Sequence, residues 1–372
     1  MLEQILALPL EQKIGQLIFI GISGVEVNEN LRELLREISP GGVCLFARNV
    51  RTAEQVRQLL TNIRDILPIE PLLSLDQEGG VVDRLRRIST PLPSASSIKT
   101  AEEVRHLAKI TAEVVRLLGF NMNFAPVVDV IDESRNQFSN GLYSRAFGNS
   151  KEDVIELAGE YRNTLQTNGG LGCLKHFPGL GASEVDSHEE LPIVNLTRKD
   201  LFENDLSPYR ELFKTGQVHA IMVAHASFPA FDLQETDSDG KLLPSSLSYN
   251  FVTKLLREEL GFTGLTITDD LEMGAIVKNY GIGKACVLAV KAGADMLAIC
   301  ADANAIQRGF QAVFEAVKNG EISEKRINQS LQRIAHLKIL AQPPLPFNAA
   351  RLTVLSEEIA ELNKKVNYSY GG

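Results

Sequence analysis

Cysteine is scarce: four in 372 residues, Cys44, Cys173, Cys286 and Cys300, with no CxxC spacing among them. Three of the four sit in apolar runs, so buried free thiols are expected, in preference to disulfides or thiolate metal sites. Clustered basic charge is missing too. The formal net charge is −9 and no Lys/Arg run forms a patch, which argues against a nucleic-acid binder, since phosphate contacts need concentrated cations. No apolar segment reaches the roughly 18 residues a membrane helix requires. The opening "MLEQILALPLEQKIGQLIFIG" has neither the basic n-region nor the small-residue cleavage site of a secretory signal. A cytoplasmic protein with no membrane partner is the expectation. Internal repeats and low-complexity tracts are absent as well.

What the chain does have is alternation. With 44% hydrophobic and 23% charged residues, it can bury a large core. Eight short apolar runs stand out: 14–21, 41–47, 71–77, 121–127, 171–176, 219–226, 265–270 and 294–300. Their near-continuous apolarity suggests parallel strands covered on both faces. Amphipathic helices with readable ends lie between them. In 101–118, Val104, Leu107, Thr111, Val114, Val115 and Leu118 follow helical spacing. Thr100 and Glu103 form a capping box there, and Gly119 a stop. Ser248 precedes a second helical run that Gly261 follows, and Ser323 precedes a third. Eight strands alternating with helices predict an α/β fold of the TIM-type (β/α)8 barrel class. The competitor, a doubly wound open sheet, more often carries a Gly-rich phosphate turn, and no GxGxxG follows the first strand.

The barrel pattern ends at "AQPPLPF", so residues 1–347 are expected to form one barrel domain. Beyond it, Leu352, Leu355, Ile359, Leu362 and Val366 repeat at intervals of three and four. That stripe predicts a helical extension, 348–372, packed on the barrel. Two long loops, 89–100 and 231–246, suit the βα side, where barrel sites are built.

Chemistry in a barrel should gather at strand C-terminal ends, and the polar residues do gather there. Asp76 and Glu78 end the third run, and Asp129 follows the fourth. Lys175 and His176 end the fifth, His225 the sixth, and Asp269 and Asp270 the seventh. In a strand only one of two successive aspartates faces the barrel axis. One reading makes Asp270 the N-cap of a helix beginning near Leu271 and Asp269 a catalytic carboxylate, although pattern alone leaves their order open. Asp186 and His188 lie two apart in an irregular stretch made pliable by Gly179 and Gly181 and bounded by Pro178 and Pro192. A carboxylate that meets an imidazole nitrogen orients the ring and raises its basicity, which suits general acid–base work near neutral pH.

Three segments carry a resemblance. "KHFPGLG…DSHEELP", "GFTGLTITDDLEM" and "DQEGG" together resemble family 3 glycoside hydrolases. Within them the chain is similar, over about residues 10 to 340, to the single-domain bacterial β-N-acetylglucosaminidases of peptidoglycan recycling. The resemblance implies that Asp269 is the nucleophile and His188 the acid/base, partnered by Asp186. It also implies that Asp76, Arg84, Arg145, Lys175 and His176 bind hydroxyls of the terminal N-acetylglucosamine. The implied reaction is retaining hydrolysis through a covalent glycosyl-aspartate, with no cofactor and no metal. A monomer acting on a small sugar substrate is the corresponding expectation. Two departures bear on the aglycone and N-acetyl contacts: Val81 stands where the family often has arginine, and Ala146 where a serine is common.

Other readings compete. A neutral imidazole repels phosphate less than a carboxylate base would, so the same site could act as a phosphorylase. A metal-dependent barrel hydrolase would draw on His176, His188, His225 and Asp269, but "IGQLIFIG" lacks the H-x-H pair common on the first strand of such barrels. A catalytically silent sugar-binding barrel and β-glucosidase specificity complete the set. His106, His219 and His336 read as helix-surface, strand-start and C-terminal-helix residues without a role in the chemistry.

Overall fold

Each of the eight apolar runs contains a strand in the computed structural model, which describes residues 1–135, 138, 140–183 and 191–370. The strands are β1 (Ile18–Gly21), β2 (Gly42–Leu45), β3 (Leu72–Leu75), β6 (Met122–Asn123), β7 (Leu171–Gly172) with β8 (Leu174–Phe177), β9 (Ala220–Val223), β10 (Leu265–Thr268) and β11 (Leu297–Ile299). All their residues are buried, which is why the sequence shows apolar runs rather than alternation. A hairpin that the periodicity does not suggest follows β3: β4 (Gln77–Gly79) pairs antiparallel with β5 (Val82–Asp83). The run read as one strand over 71–77 therefore breaks at Asp76.

Pairing is parallel throughout the main ladders, in the orders β11-β1-β2-β3, β6-β7 and β8-β9-β10. The fold is thus α/β with parallel sheets. Between β3 and β6 asparagine side chains share the pairing with the backbone. Asn121 accepts from Leu73 N and donates to Pro71 O, at 2.8 and 3.0 Å. Asn123 does the same for Gln77 N and O, at 2.9 Å each. Main-chain bonds from Asn121 N to Leu73 O and from Phe124 N to Leu75 O complete that junction. Between β10 and β11, Ile267 bridges Met296 and Leu271 N donates to Ala298 O. Close approach limits one interior position: a Cβ on Gly42 would stand 2.3 Å from the Phe19 ring.

Helices separate the strands, among them Glu29–Ile38, Ala53–Ile66, Ala101–Leu118, Ile282–Ala292 and Ala303–Lys318. The Thr100/Glu103 capping box forms, and Gly119 ends that helix at φ 107°. Ser323 caps Glu324–Leu340 by accepting from Arg326 N. Ser248, by contrast, is not a cap. Its hydroxyl donates to the Glu235 carboxylate, and the helix Asn250–Glu259 is wound as a π-helix. Helix Ala349–Lys365 turns Leu355, Ile359 and Leu362 inward. Arg351 ties it to the 101–118 helix through a bidentate pair with Glu113, at 2.6 and 2.8 Å. All four cysteines are buried and free. Among the described residues no helix is long and apolar enough to cross a membrane.

Candidate active site

The polar strand ends converge. Asp76, Arg84, Arg145, Lys175, His176 and Asp269 all line one cleft of about 240 Å³. They arrive from several strands and loops. Asp76 sits at the break between β3 and β4. Arg84 is placed by Asp83 and Gln77: Asp83 accepts from Leu85 N and Leu92 N, and Gln77 Oε1 accepts from Arg84 N at 3.0 Å. Lys175 and His176 are on β8, joined by a cis peptide bond. Asp269 follows β10 directly, its N–H bonded to Val223 O of β9.

Alternating charges run along one wall. Asp76 takes Lys175 Nζ at 2.7 Å on one oxygen and Arg84 Nη2 at 3.2 Å on the other. Glu78 takes Lys175 Nζ at 2.5 Å and Arg145 Nε and Nη2 at 2.8 and 3.0 Å. Arg145 Nη2 then lies 3.3 Å from His176 Nε2, whose Nδ1 is 2.7 Å from Asp129 Oδ2. A guanidinium has no acceptor, so at that contact Nε2 accepts and the ring hydrogen sits on Nδ1, donated to Asp129. Asp129 also accepts from Leu180 N at 2.7 Å, which fixes the chain leaving β8.

Burial opposes ionisation of both wall carboxylates, but the adjacent cations outweigh it. Lys175 and Arg84 hold Asp76 well below the usual carboxylate range. Arg145 and Lys175 bring Glu78 down to about 2. Burial likewise works against charge on Lys175, yet Asp76 and Glu78 raise its pKa. The wall is therefore fully charged at neutral pH, and its net charge is small because the signs alternate.

The two successive aspartates divide their roles differently from the cap expectation. Asp269 Oδ1 accepts from Asp270 N at 2.8 Å, and its other oxygen accepts no hydrogen bond among the described residues. Asp270 is not a helix N-cap. The next helix begins only at Gly274, because Asp270 Oδ1 accepts from Glu272 N and Cys300 N and closes a turn against the end of β11. Burial, reinforced by Glu272 and Asp269, pushes Asp270 up to about 7 against the lowering effect of its backbone donors.

His225 stands behind this pair, fully buried. Its Nε2 is 3.0 Å from Asp270 O and its Nδ1 2.6 Å from Ser246 Oγ. With both nitrogens so engaged, it does not join His176 and Asp269 in the arrangement a metal-dependent hydrolase would use. Among the described residues no three His, Cys, Asp or Glu side chains group as metal ligands. Cys44 and Cys300 also line the cleft, and burial pushes both thiols well up.

Asp186 and His188 lie outside the described residues. The chain on either side is anchored: Ser183 lines the cleft, with its carbonyl taking Asn140 Nδ2 at 2.9 Å. On the far side Pro192 O accepts from Ser227 N at 2.9 Å. Sequence reasoning noted Glu78 and Asp129 as strand-end carboxylates but did not count them in the site. Glu78 joins Lys175 to Arg145, and Asp129 orients His176. Their only signal was position, one or two residues past an apolar run.

Fold and site together define an α/β scaffold with parallel sheets, in which a carboxylate faces an ordered charged wall, and the comparisons give it a family. The glycosyl hydrolase family 3 N terminal domain matches residues 9–337, and the chain belongs to that family. A beta-hexosaminidase of Psychromonas ingrahamii is 33% identical over 293 residues, 77% of this chain and 82% of that protein. One from Nitrosomonas eutropha is 32% identical over 333 residues, 86% of this chain and 91% of that protein. Among solved structures, a glycoside hydrolase family 3 beta-N-acetylglucosaminidase from Paenibacillus is 36% identical with a TM-score of 0.85, covering 96% of this chain and 69% of that one. A family 3 glycosyl hydrolase from Mycobacterium smegmatis is 32% identical with a TM-score of 0.80, covering 92% and 99%.

Proposed function

We propose that this protein is a retaining exo-β-N-acetylglucosaminidase that releases terminal N-acetylglucosamine from peptidoglycan-derived fragments. Beta-hexosaminidase relatives sharing a third of their residues support the reaction. The single observation that carries the site is the convergence of Asp269 with the Asp76–Lys175–Glu78–Arg145 wall in one cleft.

In this reading Asp269 attacks the anomeric carbon, and the bond to the leaving oxygen breaks as His188, in its imidazolium form, supplies the proton. Water then attacks the glycosyl-aspartate, giving its proton to neutral His188, and the sugar leaves with retained configuration. Asp186 orients the imidazole. The resemblance in "DSHEELP" supports both roles, and Ser183, on the cleft wall just before that segment, is consistent with them. Asp76, Arg84, Arg145, Lys175 and His176 hold the sugar hydroxyls. A histidine acid needs to be near only while the proton moves.

The architecture we assign is a (β/α)8 barrel over 1–347 with 348–372 as a helical extension. The hydrogen bonds that link β3 to β6 and β10 to β11 support closure of the ring. A monomeric, cytoplasmic enzyme is our further assignment, resting on the sequence and the resemblance alone.

The test is a panel of aryl glycosides, N-acetylglucosaminide against glucoside, with and without phosphate, together with Asp269→Ala. Hydrolysis of the N-acetylglucosaminide that is independent of phosphate, and that falls by about 10³-fold or more in the variant, is expected. A 2-fluorosugar that labels any residue other than Asp269, or products of inverted configuration, would overturn the mechanism.

A further inference from the structure

Two of the four free cysteines, Cys44 and Cys300, line the active-site cleft although they stand far apart in the chain. The sheet order β11-β1-β2-β3 places one strand, β1, between them. Side chains alternate across a strand, so residues two apart share a face. Cys44 and Phe46 at the end of β2 both line the cleft, and so do Ala298 and Cys300 at the end of β11. Gly42, two residues before Cys44, would point a Cβ at the Phe19 ring, 2.3 Å away. Phe19 of β1 therefore lies on the same side, and Gly21, two residues on, faces that side too.

Gly21 pairs with Cys44 in the β1–β2 register, and a Cβ on it would stand 2.0 Å from Cys300 O. The residue between the two thiols thus carries no side chain. Arg48 fastens the strand ends around it, donating to Ile22 O at 3.0 Å and to Cys300 O. Cys300 N donates to Asp270 Oδ1 at 3.2 Å. Two strand spacings of about 4.8 Å put the two Cα atoms roughly 9–10 Å apart. That is too far for a disulfide, which needs about 4.4–6.8 Å. A metal ion between the sulfurs, with bonds of about 2.3 Å on each side, spans the difference. Burial first, and then Asp270, Cys44, Asp76 and Asp269, push the Cys300 thiol well up. The three carboxylates that keep its proton on sulfur are charges that attract a cation, and the influence of Cys44 puts the two thiols within electrostatic reach of each other.

We infer that Cys44 and Cys300 form a two-thiolate site for a soft, two-coordinate dication of the mercury(II) class, and that its occupation shuts the cleft to sugar. On binding, two S–H bonds break, two metal–sulfur bonds form and two protons pass to solvent. A dication with two thiolates is neutral, so the buried site gains no charge. Harder ions that need three or four ligands are not served, since among the described residues no three His, Cys, Asp or Glu side chains group together. The ion has no part in hydrolysis. Its exclusion of sugar rests on the glycosidase reading above, whereas its binding does not.

The experiment titrates the full chain, freed of reductant, with mercuric chloride and separately with zinc chloride. Mercury(II) should release two protons per ion into weakly buffered solution and abolish hydrolysis of an aryl N-acetylglucosaminide at about one ion per chain. Saturating N-acetylglucosamine should delay that loss several-fold, an added dithiol should reverse it, and zinc(II) at the same concentration should not cause it. Cys44→Ala and Cys300→Ala, each read against its own metal-free rate, should need about tenfold more mercury(II) for half inhibition and release one proton with the first ion. Cys173→Ala and Cys286→Ala should behave as the wild type, and serine versions stand in for any alanine variant that does not fold. Unchanged inhibition in either Cys44→Ala or Cys300→Ala, or its loss in Cys173→Ala or Cys286→Ala, would overturn the pair. Two protons released with full activity kept would overturn the closure of the cleft. A wild-type protein that binds the ion in this way yet hydrolyses nothing would instead overturn the glycosidase reading and leave the metal site standing.

Discussion

The imidazole of His225 donates from Nε2 to the main-chain carbonyl of Asp270, 3.0 Å away, and its Nδ1 is hydrogen-bonded to the Ser246 hydroxyl. A carbonyl only accepts, so the hydrogen on Nε2 is dictated by its partner. The bond fixes the Asp270–Leu271 peptide unit, one residue beyond Asp269, the carboxylate proposed as nucleophile.

Replacing His225 should therefore act on turnover more than on binding. His225→Ala is expected to lower kcat by about 10²-fold, the scale of an ångström of misplacement, with KM little changed. Asp270 O keeps its bond from Met273 N at 3.0 Å, but the loss of one buried hydrogen bond should also cost about 0.5–1.5 kcal/mol of stability. His225→Gln, which restores a donor, should recover part of kcat. Steady-state kinetics beside urea unfolding checks this; a stability loss without a kcat loss would reduce His225 to packing.

Glu78 links two cations that would otherwise be neighbours along the wall without a carboxylate between them. Glu78→Gln leaves Lys175 with Asp76 alone and Arg145 without its carboxylate. Breaking a buried pair from one side should cost about 3–5 kcal/mol, read as a lower urea midpoint. Its pH dependence has a definite sign. The folded pKa of about 2 lies below the ordinary 4.5, so the stabilisation is present above pH 4.5 and drains away as pH falls toward 2. The wild-type advantage over the Gln variant should shrink over that interval.

Asp270 has the opposite slope. Its folded value of about 7 exceeds the ordinary 3.8, so the folded protein holds a proton that the unfolded chain has released. Stability from this group is complete below pH 3.8, declines as pH rises toward 7, and is level above it. Asp270→Asn should remove that decline. Melting temperatures of the two proteins from pH 4 to 8 test it, and parallel curves would refute the assignment.

Ile359 is buried on the helix Ala349–Lys365. If that helix is an integral part of the folded unit, Ile359→Ala should lower global stability by about 2–5 kcal/mol in a single unfolding transition. A separate low-temperature transition would mark an independently melting appendage.

Much of this molecule can be read from the chain because parallel strands must be apolar on both faces. The runs around Ile20, Val43, Leu73 and Ile267 reveal strands for that reason alone. Local motifs were equally readable where all partners are near in sequence, as in Thr100 with Glu103. Readings failed where the partner is distant. Ser248 looks like a cap until Glu235, thirteen residues back, claims its hydroxyl. Asp270 looks like a cap until Cys300 N, thirty residues on, takes its carboxylate. The β4–β5 hairpin was hidden because Gln77 continues an apolar run, while the turn is set by Gly79 and Gly80 at positive φ. Glu78 and Asp129 were missed as site residues because their importance lies in which cations and rings they meet, and only the folded chain brings those together.

The ladder Arg84–Asp76–Lys175–Glu78–Arg145 has a bearing on selectivity. Every member is held by the next, so none can swing out to follow a hydroxyl that points the wrong way. A substrate epimeric at one ring carbon would leave a fixed donor or acceptor facing nothing, and sites built on such bonds reject mismatched analogues far more strongly than apolar pockets do. In the function proposed above, stereochemical discrimination is accordingly a matter of stiffness: a wall held this way would read a sugar as a template reads a shape, without yielding to it.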